Sequence, residues 1–234
     1  MSKRKSIILL SGGLDSLVCL GAVKDEYHIE LALTFDYGQK SAKQEIEASK
    51  KLAEYYGIKH EVIELPFLQA ITKTALVDNK DIPENELYTE YSAKAVWVPN
   101  RNGLFLNIAA CYADTYNFTH IIFGANKEEA VTFPDNSRKF TEIITSCFEH
   151  STLCNPKVVA PLISMNKNDI VKLALDKNMP LELTRSCYND SKTNYRRNHP
   201  CLSTDLPSAS WPTSSGASSW AGASTRSLSP SVTS

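Results

Sequence analysis

The stretch SIILLSGGLDSLVCL, residues 6–20, holds the residue types best suited to chemistry. Four apolar residues lead into Ser11-Gly12-Gly13, and Leu14-Asp15-Ser16 opens a second apolar-periodic run. Glycines between a strand and a helix permit a tight turn and let backbone N–H groups approach an oxyanion. A helix opening at Asp15 adds the positive end of its dipole, which favours negative charge. The hydroxyls of Ser11 and Ser16 can donate to phosphate oxygens. Yet no lysine stands in this loop, and neither G-x-x-x-x-G-K-[ST] nor G-x-G-x-x-G occurs in the chain. Which phosphates such a loop would hold is open at this point, and a Gly-rich turn with an Asp N-cap fits the same residues.

Further polar clusters follow strand-like runs. FDYGQK (35–40) sets Asp36 and Gln39 where ligands gather in open α/β sheets, though a plain strand-ending turn reads the same way. VWVPNRNGLFLNIAACYA (96–113) places Asn100, Arg101 and Asn102 ahead of an amphipathic helix, an anion-attracting arrangement that also fits a simple Asn cap. In IIFGANKEEAVTFPDNSRKF (121–140), Glu128, Glu129 and Asp135 follow a strand ending in Gly-Ala-Asn. Those carboxylates suit Mg2+ or a purine-like amidine edge, or a solvated loop. VVAPLISMNKNDIVKLA (158–174) reads as structure, with Asn166 or Asn168 opening a helix.

The elements that must position these residues alternate regularly. Strand-like runs at 6–10, 29–35, 60–65, 120–124 and 157–160 are separated by helical patterns at 15–24, 41–57, 102–116, 138–150 and 167–177. The clearest helix carries Ala42, Ile46, Leu52, Ala53 and Tyr56 on one face, with Ser41 as N-cap and Gly57 as its stop. Short apolar strands alternating with helices predict an α/β fold, a parallel sheet covered on both faces. Residues 77–97 break the rhythm and are read as an insertion near the open end of the sheet.

At 234 residues, 42% hydrophobic, the chain can bury one core. Its net charge of −1 gives no electrostatic reason to expect nucleic acid. No apolar run reaches membrane-spanning length, and the N-terminal apolar run ends after four residues, which predicts a cytoplasmic protein. Six cysteines without a regular framework then read as buried thiols or metal ligands. The tail is a different material: 12 of the 32 residues from 203 to 234 are Ser. Such a composition cannot offset its ordering entropy, so the tail is expected to be disordered.

Taken together and in order, SGGLDS, DYGQ, VPNRN with LFLNIAA, GAN with FPD and RKF, and the S-C-Y of TRSCYND resemble the 7-cyano-7-deazaguanine synthase family. That family lies within the PP-loop, N-type ATP pyrophosphatase superfamily, and the resemblance covers residues 6 to about 191. It implies a Rossmann-like, adenine nucleotide alpha hydrolase-like domain over 1–191, with 192–234 replacing the family's C-terminus. It also implies cleavage of ATP between the α- and β-phosphates, with Mg2+, so that pyrophosphate leaves. The substrates implied are 7-carboxy-7-deazaguanine, ammonia and ATP, without nucleic acid or membrane, in a homodimer. The carboxylate is adenylated, ammonia gives an amide, and a second ATP activates the amide for dehydration to the nitrile. By the same resemblance the ATP segment is Leu10, Ser11, Gly12, Gly13, Leu14, Asp15, Ser16, Leu17, Val18, Cys19 and Leu20. Arg101 and Asp36 are the catalytic candidates, and Gln39, Asn100, Asn102, Glu128 and Asp135 line the substrate.

One departure stands out. The family holds structural Zn2+ with four cysteines, the first in S-C-Y and the rest in a following C-x2-C-x2-C. Cys187 matches the first, but no C-x2-C occurs in this chain; His199 and Cys201 alone stand nearby. Two explanations are open, a divergent tail or a change of reading frame near 192–195, since Cys-Gly codons read two bases out give the Arg196-Arg197 found there. Three functional readings are open as well: this ligase, another PP-loop enzyme acting on tRNA, or a nucleotide-binding protein silenced by its tail. The frame explanation predicts that another frame beyond codon 191 encodes C-x2-C-x2-C, which sequencing of the encoding DNA checks.

Overall fold

The structure, a computed structural model, describes residues 3–72, 74, 77 and 97–185. The expected insertion falls almost wholly outside the described residues, as do Cys187, His199, Cys201 and the 192–234 tail. Five strands form one parallel sheet: β1 (Arg4–Leu9), β2 (Tyr27–Asp36), β3 (Lys59–Glu64), β4 (His120–Ile122) and β5 (Lys157–Val159). Their order is β3-β2-β1-β4-β5, so the chain reverses direction across the sheet between β1 and β4. In such a sheet, ligands bind outside the carboxyl ends of the strands at that reversal.

Both faces are covered, which is why the strands are continuous apolar runs. On one face, α4 (Arg101–Tyr116) and α6 (Arg138–Ser151) bury Leu106, Ala109 and Phe148 against Ile7, Leu33 and Ile121. On the other, α1 (Leu14–Val23), α2 (Ala42–Tyr56) and α7 (Lys167–Asp176) pack Leu17, Leu52 and Ile170 on Ile8, Ala32 and Ile122. Neighbours Ile7 and Ile8, and Ile121 and Ile122, thus serve opposite faces, as the period of two requires. On β2 the pairing slips by one residue, Ser6 facing Ile29 but Ile7 facing Leu31. The extra residue there puts Ile29 on the face of Ala32 rather than of Leu31.

The α2 helix ends at Gly57 in the left-handed conformation, φ 67°, as expected. Ser41 sits at its start, but its hydroxyl donates to Glu45 Oε1 (2.6 Å) instead of capping a backbone N–H. The predicted buried face is displaced: Ala42 and Ile46 are half-buried, whereas Ser49 is fully buried. Its hydroxyl donates to the Leu10 carbonyl (2.9 Å), which is why a polar residue can occupy the inner face. Two short helices, α3 (Pro66–Ile71) and α5 (Lys127–Thr132), add to the expected elements, the second in a stretch that a solvated loop also fitted.

The Phe148 side chain, fully buried between α6 and the sheet, is the largest such side chain of this core. Phe148→Ala is expected to remove about 3–5 kcal/mol of stability. A lower urea midpoint with an unchanged m-value checks this.

Candidate active site

The loop after β1 is defined by what it leans on. Gly12 adopts φ 76°, and a Cβ there would stand 2.7 Å from the Glu45 carbonyl oxygen and 3.0 Å from the Ser49 nitrogen. Only glycine lets the loop lie this close to α2. The Leu10 carbonyl accepts from both Ser49 and Thr34 hydroxyls (2.9 and 2.6 Å), and the Gly12 carbonyl accepts from the Arg185 N–H (2.8 Å). Gly13 is the N-cap of α1, and the first intrahelical bond is Leu17 N–H to its carbonyl (3.1 Å). The N–H groups of Leu14, Asp15 and Ser16 therefore have no partner within the helix, which is the donor set an oxyanion needs. Ser16 Oγ donates to the Gly13 carbonyl (2.9 Å), and Ser11 Oγ lies 3.3 Å from Ser16 Oγ.

The absent loop lysine arrives from the far side of the reversal. Lys167, the first residue of α7, places Nζ 2.5 Å from Asp15 Oδ2 and 3.5 Å from Glu129 Oε1. Glu128 accepts the Lys167 backbone N–H (2.9 Å), and Lys127 N–H donates to the Met165 carbonyl (3.0 Å), so α5 fixes the start of α7. Asn126, following β4, donates to Asp15 Oδ2 (3.0 Å) and caps α5 through Glu129 N–H (2.9 Å). Gly124 lets this strand exit approach α1, since a Cβ would stand 3.3 Å from the Asp15 carbonyl. Asp15 Oδ1 is buried without a hydrogen-bond partner, an acceptor position open to a hard cation. Burial pushes the Glu129 carboxyl up, Asp15 adds to this, and Lys167 and Arg101 oppose it.

A second group forms where β2 ends and α4 begins. Arg101 Nη1 lies 3.3 Å from the Tyr37 hydroxyl, and burial pushes that phenol up against the opposing Arg101 charge. Asp135 is buried in the turn Pro134–Asn136 and accepts from the Asn102 N–H (3.1 Å) and Asn136 Nδ2 (3.2 Å). Burial raises its pKa, with the Asn102 N–H and Arg101 pulling the other way. Trp97, Val98, Arg101, Phe133, Asp135 and Asn136 line a small recess of about 20 Å³, room for about one water. Among the described residues no cluster of three His, Cys, Asp or Glu side chains could hold a metal by itself.

The expected site residues divide accordingly. Ser11, Gly13, Asp15 and Ser16 come together around the helix start, with Gly12 beneath them. The side chains of Leu10, Leu14, Leu17, Val18, Cys19 and Leu20 are buried in the core and hold the loop in place. Burial drives the Cys19 thiol far up, so it is inert. Asp15 is an acceptor and offers phosphate no side-chain donor; it holds Lys167 and Asn126. Gln39 is buried and fully engaged, accepting from Tyr37 N–H and donating to the Phe35 carbonyl and Glu45. Asp36 holds the same turn through Gly38 N–H (3.0 Å). Arg101, Asn102 and Asp135 meet, while exposed Asn100, at φ 50°, begins α4 with its side chain over Gly103. Lys167, Asn126, Tyr37, Trp97 and Phe133 had no role in the sequence reading. For Lys167 a signal exists: a lysine at the first helical position opposes the helix dipole, which calls for another reason to be there.

The raised Glu129 pKa fixes a pH dependence. The fold favours the protonated carboxyl, so that contribution is full below the ordinary value of 4.5 and is lost as pH rises through the folded value. Glu129→Gln keeps the neutral form throughout. Its stability relative to the parent chain is expected to grow as pH rises from 4.5 to neutrality, read from urea midpoints across that range.

Comparison with known proteins agrees with this architecture. A 7-cyano-7-deazaguanine synthase of Methanosarcina mazei is 47% identical over 196 residues, spanning 79% of this chain and 85% of that protein. One from Carboxydothermus hydrogenoformans is 48% identical over 190 residues, spanning 79% and 88%. One from Pelotomaculum thermopropionicum is 44% identical over 207 residues, spanning 85% and 93%. Residues 5–206 match the family described as queuosine biosynthesis protein QueC, a stretch running past residue 191 where the short motifs end. With its loop, strand order and switch-point site arranged as above, the chain belongs to the QueC family.

Proposed function

We propose that the chain converts 7-carboxy-7-deazaguanine and ammonia to 7-cyano-7-deazaguanine with ATP, within queuosine biosynthesis. The relatives bearing that name support the substrate. The observation that supports the ATP chemistry is Lys167 held on Asp15 at the open start of α1. Backbone donors, two hydroxyls and one imported cation form a cradle for a departing pyrophosphate, whose charge grows as the α–β bond breaks.

The substrate carboxylate attacks the α-phosphorus, pyrophosphate leaves, and the acyl adenylate forms. Ammonia then attacks the acyl carbon, losing a proton as AMP departs, and leaves an amide. The amide oxygen attacks the α-phosphorus of a second ATP and expels pyrophosphate, and loss of AMP and the two amide protons yields the nitrile. No nucleophilic side chain is required. Arg101 neutralises the adenylate, and Asp36, one oxygen committed to Gly38, accepts the proton that the nitrogen sheds once ammonia has attacked. Asn102 and Glu128 act through the residues they hold, Asp135 and Lys167, and Gln39 through the turn it closes.

ATP enters with Mg2+, because Asp15 and Glu129 already border the phosphate cradle and would repel a bare tetra-anion. The unpartnered Asp15 Oδ1 fits a ligand to that cation, which offsets phosphate charge when bound. Zn2+ fits poorly: Cys187 is one ligand of a family set of four, and a structural zinc site takes four. The reading places the protein in the cytoplasm as a homodimer acting on small molecules without nucleic acid. Among the described residues no helix is long and apolar enough to cross a membrane.

Supplying 7-carboxy-7-deazaguanine, ammonia and MgATP is expected to give AMP, pyrophosphate and the nitrile. Lys167→Met is expected to lower kcat about 10²–10³-fold, the loss seen when one charge-stabilising donor is removed. AMP formed only with tRNA would overturn the reading, and ATP binding without turnover would favour a silenced protein.

A further inference from the structure

The peptide between Gly12 and Gly13 is the one bond of the phosphate loop with glycine on both sides. Such a peptide plane turns over when ψ of the first residue and φ of the second rotate in opposite senses. Gly12 already holds φ 76°, and the turn would carry Gly13 from φ −81° to about +100°, which glycine enters freely. Side-chain sterics therefore do not choose between the two orientations, yet their chemistry differs. In a trans unit the C=O and the N–H leave opposite edges of the plane. As found, the Gly13 N–H points to the Ser11 hydroxyl (3.4 Å), which lies 3.3 Å from Ser16 Oγ on the donor side of the loop. Turned over, the Gly12 carbonyl oxygen would face that side, an acceptor where an oxyanion needs donors.

What opposes the turn comes from the far end of the described chain. The Gly12 carbonyl accepts the Arg185 N–H at 2.8 Å, and the Arg185 carbonyl oxygen lies 3.4 Å from where a Cβ of Gly13 would stand. A reversed peptide would set the Gly13 N–H against the Arg185 N–H, donor on donor. Residue 185 is itself well anchored. Met179 packs against Gly21 of α1, and its N–H donates to the Ala174 carbonyl (2.9 Å). Leu181–Leu183 then form a single 3-10 turn, and buried Thr184 bonds back to the Leu181 carbonyl through its N–H (3.1 Å) and its hydroxyl (2.7 Å). Resting on the proposed ATP chemistry, we infer that Arg185 is a positioning residue whose backbone N–H locks the Gly12–Gly13 peptide with the Gly13 N–H turned to the phosphates. The lock makes Gly13 one more preset donor for the departing pyrophosphate. It is a main-chain device, so proline, which has no N–H, is the residue it excludes at position 185.

The test uses the full chain and calorimetric titration without turnover, with MgATP and 7-carboxy-7-deazaguanine as separate probes. Two chains isolate the N–H: Arg185→Ala, and the same chain with lactic acid at 185, so that an ester oxygen replaces the amide N–H. Relative to Arg185→Ala, the ester chain is expected to bind MgATP roughly ten- to a hundredfold more weakly, the worth of one hydrogen bond to a charged group. It is expected to bind the deazaguanine equally well. Equal MgATP binding by the two chains would overturn the inference, as would a loss shared equally by the deazaguanine, which marks a merely structural role. The parent chain supplies a second reading that a folding failure of the ester chain cannot remove. There MgATP is expected to slow hydrogen exchange at the Arg185 N–H about tenfold or more beyond any slowing of the α6 amides, because that N–H exchanges only when the peptide is unlocked. No such excess would overturn the inference. A parent chain that binds no MgATP would overturn the proposed ATP chemistry, and the inference with it.

Discussion

The contact on which the candidate site depends is the pairing of Lys167 with Asp15. It joins residues 152 positions apart and closes the cleft between β1 and β4 from above. Its value to stability is small, because side chains about 31% and 18% exposed remain partly in water. The start of α7 is also a poor place for a cation, since the helix dipole opposes it by about 0.3–1 kcal/mol. Glu128 and Asn126 nevertheless fix both partners through backbone and amide contacts. A charge held where the fold gains little from it suits a ligand, and in the proposed reaction that ligand is the phosphates at the open start of α1.

That arrangement in turn requires a loop of fixed shape. Gly12 rests on the α2 backbone, the Leu10 carbonyl is held twice, and the Gly12 carbonyl is held by Arg185 N–H. The last tether comes from the C-terminal end of the described residues, two positions before Cys187. The phosphate loop and the segment leading to the altered tail are thus one mechanical unit. A change that loosens residues 184–185 acts on the loop directly, without passing through the core.

Much of this was legible in the sequence, and the reasons for the rest are physical. The five strands and five longer helices announced themselves because burial on two faces demands continuous apolar strands, and packing on a sheet demands periodic helices. The helices α3 and α5, six residues each, are too short to show a period. Ser49 was invisible because its burial depends on a carbonyl 39 residues away, and Lys167 because its partner lies in another motif. The loop's donors were readable from glycine and serine spacing. The stacking of Trp97 on Phe133 was not, since the two rings meet only once α4 and the 134–136 turn have packed.

From the loop to the recess runs a row of alternating charge: Asp15, Lys167, Glu129, Arg101, Asp135. Lys167 pairs tightly with Asp15 and more loosely with Glu129, and the Arg101 charge favours the anions of both Glu129 and Asp135. Burial disfavours the anionic form of both Glu129 and Asp135. A protonated Glu129 would no longer hold Lys167 or attract Arg101. In the proposed reaction a phosphate and a carboxylate meet beside this row, so both cations have an anion to turn to when Glu129 is neutral.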